Sequence, residues 1–292
     1  MTALAGARVR GAGLGAPPAG TPLEDWRETD FADAPRALAA LAAAPCDAIV
    51  HLAGQSSAAR SFEAPEETFR ANVIGTWALL EAARRHAPAA RLLVVGTSEV
   101  YGTIEPGTRA AEDAPIRPVS PYALSKAAAE EVARAYAGTH GLDVVCARPF
   151  SHTGVGQSPR FVVPSFAQQL AAIEGGRAEP VLRVRNLDVT RDLSDVRDIV
   201  EGYCTQLERG SRGVAYNLCR GEGVNLRDMV AELAGLARVP VRIEVDPARL
   251  RPADVPWLVG DPSRVAGETG WRTRFPLANT LRDVLEEWRQ KA

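Results

Sequence analysis

The segment RLLVVGT (Arg91–Thr97) is a near-continuous run of aliphatic residues that ends in a glycine and a threonine. Two similar runs, DAIVHLA (Asp47–Ala53) and DVVCARP (Asp143–Pro149), lie before and after it in the chain. Runs of this kind are typical of strands that are buried on both faces, as in a parallel sheet. The three segments therefore predict strands of a parallel sheet.

Helix-length segments separate these strands. PEETFRANVIGTWALLEAARRHA (Pro65–Ala87) begins with proline and acidic residues and ends with basic residues, as helix-end electrostatics favour. A second helical segment covers Ser120–Gly141. The alternation predicts an α/β fold with a Rossmann-like, doubly wound parallel sheet. We assign residues 1–150 to this domain and 151–292 to a smaller C-terminal α/β lobe, with some of its segments returning to the sheet.

Composition excludes several classes of protein. Of the 292 residues 46% are hydrophobic and 24% are charged, which suits a packed globular protein. The net charge of −2 gives no electrostatic case for nucleic acid as a partner. No apolar run approaches the ~20 residues of a membrane-spanning helix, and we find no secretory signal. The four cysteines lack metal-ligand spacing, so we expect a cytoplasmic protein with reduced thiols, no metal and no membrane contact.

Tyr122 and Lys126 lie four residues apart, which places them on one face of the predicted helix. An ammonium group lowers the pKa of a nearby phenol, which can then exchange a proton with a substrate oxygen. The spacing alone is common by chance. The case is strengthened by Thr97 and Glu99 at the preceding strand end, since ligands bind beyond the carboxyl ends of parallel strands. Glu99 is a further candidate for proton transfer.

The glycines of GAGLG (Gly11–Gly15) do not predict a dinucleotide-binding turn. That fingerprint requires G-x-G-x-x-G between a strand and a helix. Here the glycines follow RVR and lead into APPAGTP, whose prolines cannot open a helix smoothly. We interpret this segment as a loop after a strand.

The segments HLAGQ, NVIGT, GTSEVYG, SPYALSK, ARPFSHTGVGQ and RDLSDVRDIV, taken in order, resemble the extended short-chain dehydrogenase/reductase family of nucleotide-sugar epimerases, dehydratases and reductases. The resemblance covers essentially the whole chain. RPFSHTGVGQSPRF and LRPADVPWLVGDPSRV are most similar to members that reduce the C4 ketone of a GDP-4-keto-6-deoxy-hexose to a GDP-6-deoxy sugar such as GDP-D-rhamnose. The resemblance implies NADP(H) or NAD(H) as cofactor and a GDP-sugar as substrate. It leaves open GDP-mannose 4,6-dehydration, another nucleotide-sugar conversion, or a non-catalytic nucleotide-sugar-binding relative.

The resemblance also implies roles for individual residues. Tyr122 is the expected general acid/base. Lys126 is expected to lower the pKa of Tyr122 and to bind the nicotinamide ribose, and Thr97 to hydrogen-bond the sugar oxygen. Cofactor contacts are implied for Asp30, Phe31, Leu52, Ala53, Gly54, Asn72, Gly96, Tyr122, Lys126 and Pro149. Substrate contacts are implied for Ser98, Ser151, His152, Arg191, Arg251 and Asp254. Arginine suits a diphosphate because its fork is planar and permanently charged.

Three features depart from the family pattern. Ser151 stands where an asparagine is usual, and its shorter side chain either weakens a substrate contact or lets water bridge it; Arg185 stands where a glycine is usual and adds charge near the expected nucleotide site. The first strand of the family and its G-x-x-G-x-x-G turn are not recognisable, and MTALAGARVRGAGLG resembles the end of the first helix running into the second strand. We therefore expect an N-terminus that lacks roughly 20–25 residues, the size of a βα unit; the alternative is a real truncation that impairs cofactor binding.

The family commonly dimerises through a four-helix bundle, to which Pro65–Ala87 and Ser120–His140 would contribute. Their second apolar stripes include Trp77, Leu80 and Val132, which serve either that bundle or the core. The choice between NAD and NADP stays open, because residues 13–20, where the discriminating side chain is expected, contain neither an acid nor an arginine.

Overall fold

The computed structural model describes residues 6–17, 20–43, 46–246 and 255–292 of the chain. The strands are β1 (Arg10–Gly13), β2 (Asp25–Glu28), β3 (Ala48–His51), β4 (Arg91–Val95), β5 (Asp143–Pro149), β6 (Ser151–Thr153), β7 (Val181–Val184), β8 (Thr190–Asp195), β9 (Ala215–Leu218), β10 (Gly223–Asn225), β11 (Arg242–Val245) and β12 (Trp257–Leu258). The α-helices are α1 (Ala34–Ala42), α2 (Ala58–Glu63), α3 (Pro65–Phe69), α4 (Gly75–His86), α5 (Pro121–Thr139), α6 (Val162–Glu174), α7 (Val196–Arg209), α8 (Leu226–Gly235), α9 (Ser263–Thr269) and α10 (Leu277–Lys291).

The three aliphatic runs form adjacent parallel strands, in a sheet of order β3-β4-β5-β9. Leu92 of β4 lies between Ile49 of β3 and Val144 of β5. β4 and β5 are buried on both faces as predicted, whereas Val50 of β3 is 39% exposed. The reason is position, since β3 has a single strand partner among the described residues. β9 comes from the C-terminal part of the chain, and the division at residue 150 stays a prediction.

Helices cover both faces of this sheet, as the doubly wound arrangement requires. On one face α4 and α5 contribute Leu79, Leu80 and Ala133 to a buried apolar cluster. On the other face α7 and α9 contribute Ile199 and Val265 to a second cluster. The buried Leu80 thus belongs to the core rather than to an exposed second stripe.

The predicted helix Pro65–Ala87 is present but is interrupted by a π-helical turn over Arg70–Ile74. The predicted helix Ser120–Gly141 is also present and spans Pro121–Thr139. Its start is set locally, because the Ser120 hydroxyl accepts a hydrogen bond from the N–H of Ala123 over 3.1 Å.

β1 and β2 form a separate pair of parallel strands, and this pair corrects our interpretation of Gly11–Gly15. Gly11 and Gly13 lie inside β1, and the loop begins after them. A Cβ atom on Gly11 would lie 2.6 Å from the Trp26 ring. The indole of β2 therefore covers β1, and only glycine leaves room for it.

The part of the chain after residue 150 forms a second sheet, β10-β8-β12 with β6 beside β8, and a strand pair, β11-β7. Its core packs α6, α8 and α10 together through side chains that include Leu170, Leu233 and Leu281. All four cysteines carry free thiols, and Cys146 and Cys219 are buried. None of the helices in the described ranges is both long enough and apolar enough to cross a membrane.

Candidate active site

Most of the predicted site residues lie at the carboxyl ends of parallel strands. Leu52, Ala53 and Gly54 follow β3, and Thr97 begins the 3-10 turn Ser98–Tyr101 after β4. β5 ends at Pro149, and the first turns of α5 carry Tyr122 and Lys126. The carboxyl ends of parallel strands meet at one edge of the sheet, which is where open α/β sheets bind ligands.

Tyr122 interacts with both predicted partners from the end of β4. Its side chain is buried, and burial raises its pKa well above the ordinary value for tyrosine. The charge of Glu99 raises the pKa of Tyr122 further, while a side-chain hydrogen bond with Thr97 acts in the opposite direction. The sequence argument expected Lys126 to lower this pKa. In the structure, desolvation is the largest effect on this pKa and raises it.

Lys126 is enclosed by groups from several elements. Burial lowers its pKa from 10.5 to about 8, while Cys146 of β5 and Glu130 of α5 act to raise it. At the end of β3, burial and then the charge of Lys126 lower the pKa of His51 to about 3. His51 is therefore neutral at physiological pH, whereas the pKa of Lys126 lies close to physiological pH. A lysine with a pKa near neutrality is suited to proton chemistry.

Asn72 lies in the π-helical turn and holds the segment after β3. Its Oδ1 accepts a hydrogen bond from the N–H of Gln55 over 2.8 Å, and its Nδ2 donates to the Gln55 carbonyl over 3.0 Å. Gly54 precedes this contact with φ +151°, and a Cβ on Gly54 would lie 2.6 Å from Oδ1 of Asn72. A π-turn within an α-helix often marks a functional site. Here it orients Asn72 towards the backbone of Gln55, in the segment after β3 that is predicted to contact the cofactor.

Asp30 and Phe31 follow β2. Oδ1 of Asp30 accepts a hydrogen bond from the N–H of Ala32 over 2.9 Å, which shapes the turn after the strand. The Phe31 ring meets the His51 ring edge-on at 6.2 Å between centroids. The predicted cofactor contacts Asp30 and Phe31 are therefore next to the end of β3, where Leu52 is 66% exposed.

The predicted substrate residues are more dispersed. Ser98 is buried in the 3-10 turn, Ser151 is exposed in β6, and His152 hydrogen-bonds through Nδ1 to the Phe150 carbonyl over 2.9 Å. Burial lowers the pKa of His152. In β8, Nη1 of Arg191 donates to the Thr190 carbonyl over 2.9 Å.

Two further substrate residues and one cofactor residue need separate mention. Arg251 and Asp254 lie outside the described residues. Gly96 donates its N–H to the Ala147 carbonyl over 2.7 Å, and a Cβ there would lie 3.0 Å from the same oxygen. Gly96 thus allows β4 and β5 to come together below Thr97.

Two signals in the sequence were missed. Lys126 and Lys291 are the only lysines among the 34 basic residues, so the chain uses arginine nearly everywhere and lysine at the predicted catalytic position. Arg148 is a charged residue inside the aliphatic strand β5, and it is paired with the equally buried Glu130. A charge within a buried run is costly unless it is paired, so Arg148 in this run indicates a buried acidic partner.

The described residues contain no group of three or more His, Cys, Asp or Glu side chains that could hold a metal ion. This sheet edge carries a phenol, an ammonium and hydroxyl groups beside Gly54. These groups suit proton transfer and hydrogen bonding to a polar organic ligand.

Comparison with known proteins agrees with this geometry. A family model described as GDP-mannose 4,6 dehydratase matches residues 23–284. GDP-6-deoxy-D-mannose reductase of Pseudomonas aeruginosa is 35% identical over 246 residues, which cover 84% of this chain and 81% of that protein. GDP-mannose 4,6-dehydratase of Vibrio cholerae is 28% identical over 271 residues, covering 82% of this chain and 72% of that protein.

A solved structure has the same fold over nearly the full length. The structure of RMD from Pseudomonas aeruginosa in complex with NADPH superposes with a TM-score of 0.87 at 30% identity, covering 97% of this chain and all of that one. The resemblance predicted from the sequence motifs is confirmed. The chain belongs to the GDP-mannose 4,6 dehydratase family, within the extended short-chain dehydrogenases/reductases.

Proposed function

We propose that the protein reduces the C4 ketone of a GDP-4-keto-6-deoxy-hexose to a GDP-6-deoxy sugar such as GDP-D-rhamnose. The observation that carries the proposal is the side-chain hydrogen bond between Tyr122 and Thr97 at the carboxyl end of β4, with Lys126 one turn beyond Tyr122 on α5. Similarity at 35% identity to a GDP-6-deoxy-D-mannose reductase supports the choice of sugar nucleotide and reaction.

The residues at this edge suit a nicotinamide dinucleotide. Leu52 offers an exposed apolar surface, and Gly54 leaves its backbone uncovered by a Cβ. Asp30 and Phe31 would hold the adenosine end beside β2, and Lys126 would hold the nicotinamide ribose. NADH or NADPH, when bound, supplies the hydride to C4.

Tyr122 then supplies the proton. Its raised pKa keeps the phenol protonated over the working pH range, so it can donate to the C4 oxygen as negative charge develops there. Thr97 orients the same oxygen by a hydrogen bond. The ammonium of Lys126 stabilises the tyrosinate that remains until solvent returns a proton. Arg191, with Arg251 and Asp254, would bind the diphosphate and ribose of the substrate, beside Ser98, Ser151 and His152.

A 4,6-dehydratase is the second candidate, and the position of Glu99 is the observation that favours it. The charge of Glu99 raises the pKa of Tyr122, so its carboxylate lies near the phenol. In a dehydratase this acid would remove the C5 proton after oxidation at C4. The compact segment TGVGQSPRFV after β6 favours the reductase, because an arginine-rich insertion is expected there in the dehydratases.

One pair of incubations distinguishes these functions. The protein is mixed with the GDP-4-keto-6-deoxy sugar and NADPH or NADH, and separately with GDP-mannose alone. We expect oxidation of the reduced nucleotide and a GDP-6-deoxy product in the first mixture only. Conversion of GDP-mannose without added reductant would support the dehydratase. Binding of either ligand with no turnover would support a non-catalytic nucleotide-sugar-binding protein.

We also propose a cytoplasmic homodimer that pairs α4 and α5 of two subunits in a four-helix bundle. Trp77 and Leu124 are 40% and 49% exposed on these helices, and Ile74 of the adjoining π-turn is 45% exposed. Large apolar side chains grouped on helices are candidates for subunit contacts. Sedimentation analysis is expected to give a dimer that dissociates when Trp77→Glu introduces a charge.

A further inference from the structure

A buried ion pair lies one helical turn from the predicted catalytic lysine. The Glu130 carboxylate and the Arg148 guanidinium are 3% and 4% exposed and approach to 2.6 Å. Arg148 binds both carboxylate oxygens, from Nη2 to Oε1 over 2.6 Å and from Nε to Oε2 over 2.9 Å. A buried pair of this kind adds little net stability, so its position invites a functional explanation.

The pair lies one helical turn beyond Lys126 along α5, on the side away from Tyr122. Tyr122, Lys126 and Glu130 follow one another at intervals of four residues along α5, so they share a face of the helix. A Cβ on Gly96 would lie 3.4 Å from Oε2 of Glu130, so the carboxylate packs against the strand end that leads to Thr97.

Arg148 is held on its other side and cannot follow a moving carboxylate. Its Nη1 donates to the Tyr101 hydroxyl over 2.8 Å and to the Glu112 carbonyl over 3.0 Å. The Tyr101 hydroxyl donates in turn to Oδ1 of Asn217 over 2.7 Å. The guanidinium is therefore fixed by β9 and by the loop before α5, and it fixes Glu130 in turn.

Titratable groups of three elements act on Lys126. The groups that interact electrostatically with its ammonium are His51 of β3, Cys146 of β5 and Glu130 of α5. His51 is neutral above its pKa of about 3, and burial raises the pKa of the Cys146 thiol, which stays protonated. Arg148 and the Tyr122–Glu99 pair lie further along the same network. Of the three groups that interact with the ammonium, Glu130 is the one that carries a negative charge.

We propose that Glu130 is a positioning residue for Lys126: its carboxylate, restrained by Arg148, keeps the ammonium charged without drawing it away from Tyr122 and the cofactor ribose. The inference rests on the proposed function for its catalytic meaning. Its physical content concerns the charge of one lysine and can be measured without turnover.

The pKa of Lys126 can be measured selectively, because Lys126 and Lys291 are the only lysines in the sequence. The full chain is produced with lysine that carries a magnetic isotope of carbon at Cε, and the two resonances are titrated with pH. Lys291→Arg assigns the remaining resonance to Lys126. Lys291 lies in α10 and pairs with Glu287, and arginine retains the positive charge of this pair.

Two variants are expected to shift the pKa of Lys126 in opposite directions. Glu130→Gln removes the negative charge and is expected to lower this pKa by about 1, because a nearby opposite charge favours the ionised form. Arg148→Met releases the carboxylate to approach Lys126 and is expected to raise it. A purely structural pair would lower stability in both variants and leave the pKa of Lys126 unchanged or shifted in the same direction, which would overturn the proposal.

Two further variants complete the test. Glu131→Gln changes the neighbouring exposed acid, which pairs with Arg134, and is expected to leave the pKa of Lys126 unchanged. Glu130→Asp retains the charge at a longer distance and is used if Glu130→Gln does not fold. It is expected to lower the pKa by a smaller amount, and an unchanged pKa would reject the inference.

The pH profile of reduction separates this inference from the proposed function. The alkaline limb of kcat/KM is expected to follow the measured pKa of Lys126 in each variant. If no reduction is detected while the pKa values move as described, the proposed reaction fails and the positioning role stands. If reduction is detected with an unmoved pKa, the reaction stands and the positioning role fails.

Discussion

Nδ2 of Asn72 donates a hydrogen bond to the hydroxyl of Ser125 over 2.9 Å, and Ser125 donates to the carbonyl of Tyr122 over 2.7 Å. The same Asn72 amide binds the backbone of Gln55 on both sides. The segment after β3 and the first turn of α5 are therefore held in register by one buried asparagine, which lies in a π-helical turn. The segment after β3, predicted to contact the cofactor, and the predicted catalytic Tyr122 thus share one set of hydrogen bonds.

Ser125→Ala is expected to loosen this register. It removes one of the two acceptors of the Asn72 amide, and a buried polar group that loses its partner costs about 1–3 kcal/mol. We expect a lower free energy of unfolding and weaker NADPH binding, measured by denaturation and fluorescence titration. Thr139→Ala is the control, since its hydroxyl also donates to a carbonyl of α5 but at the exposed end. Equal losses in the two variants would contradict the role of Ser125.

Gly54→Ala is expected to weaken cofactor binding strongly. A Cβ at this position would lie 2.6 Å from Oδ1 of Asn72, and the φ of +151° is a region that side chains rarely adopt. Gly107→Ala is the matched control, because Gly107 also has a positive φ, +83°, but an added Cβ meets no atom within 4 Å. We expect both to lose stability and only Gly54→Ala to lose most of its NADPH affinity in titration.

Tyr122→Phe tests the proton donor. General acid catalysis contributes about 10²- to 10⁴-fold, so we expect kcat for reduction to fall by at least about 100-fold. The cofactor should still bind, because the ring and Lys126 remain. Tyr136 lies on the same helix as Tyr122, and its hydroxyl is 3.5 Å from Glu81 of α4. Tyr136→Phe removes this hydroxyl and is expected to retain activity. A Tyr122→Phe enzyme with near-normal kcat would exclude this residue as the acid.

His51 is expected to make the fold sensitive to acid. The Thr76 hydroxyl donates to the Asn72 carbonyl over 2.6 Å, so it accepts from Nε2 of His51, 3.0 Å away. Burial, and then Lys126, lower the pKa of His51 from 6.5 to about 3. Between pH 6.5 and about 3 the unfolded chain therefore binds a proton at His51 that the folded protein does not bind. The stabilisation is complete above 6.5 and is lost progressively as the pH falls towards 3.

At about pH 5 this loss is expected to reach about 2 kcal/mol in the free energy of unfolding, since each pKa unit corresponds to about 1.36 kcal/mol. Urea denaturation between neutral and acidic pH measures it. His51→Gln is expected to flatten the slope, whereas His86→Gln at the exposed end of α4 should leave the slope unchanged. The same slope in the wild type and His51→Gln would show that other groups cause the acid sensitivity.

Glu287 is expected to hold the loop after β6 in place for the substrate. Its two carboxylate oxygens each accept from the N–H of Gly156 over 3.0 Å, which ties the loop to α10. Glu287→Gln should raise KM for the GDP-sugar about fivefold, equivalent to about 1 kcal/mol, with a smaller effect on kcat. Lys291→Met removes the other partner of Glu287, 2.6 Å away, and should leave KM unchanged. A rise in KM in both variants would point to α10 stability instead.

Strands and helices were predictable because their signals are local. The run Asp143–Pro149 has four consecutive apolar residues, Val144–Ala147, and it coincides with β5 residue for residue. Ser120 followed by proline predicts a helix start, and α5 begins at Pro121. Motif order was also enough to recognise the family and to bring Thr97, Tyr122 and Lys126 into one hypothesis. Such features depend on neighbours within a few positions, which any single sequence contains.

Other features arise only when distant segments meet. Asn72 and Ser125 are 53 residues apart, and a π-turn with no recognised sequence signal brings their side chains together. Gly11 pairs with Trp26 of β2 in a strand ladder, and the indole covers the glycine. The pKa of Tyr122 rises because packing removes water from the phenol, which outweighs the charges that sequence spacing had suggested. Periodicity and capping act along the chain, whereas desolvation and long-range hydrogen bonds depend on which segments the fold brings into contact.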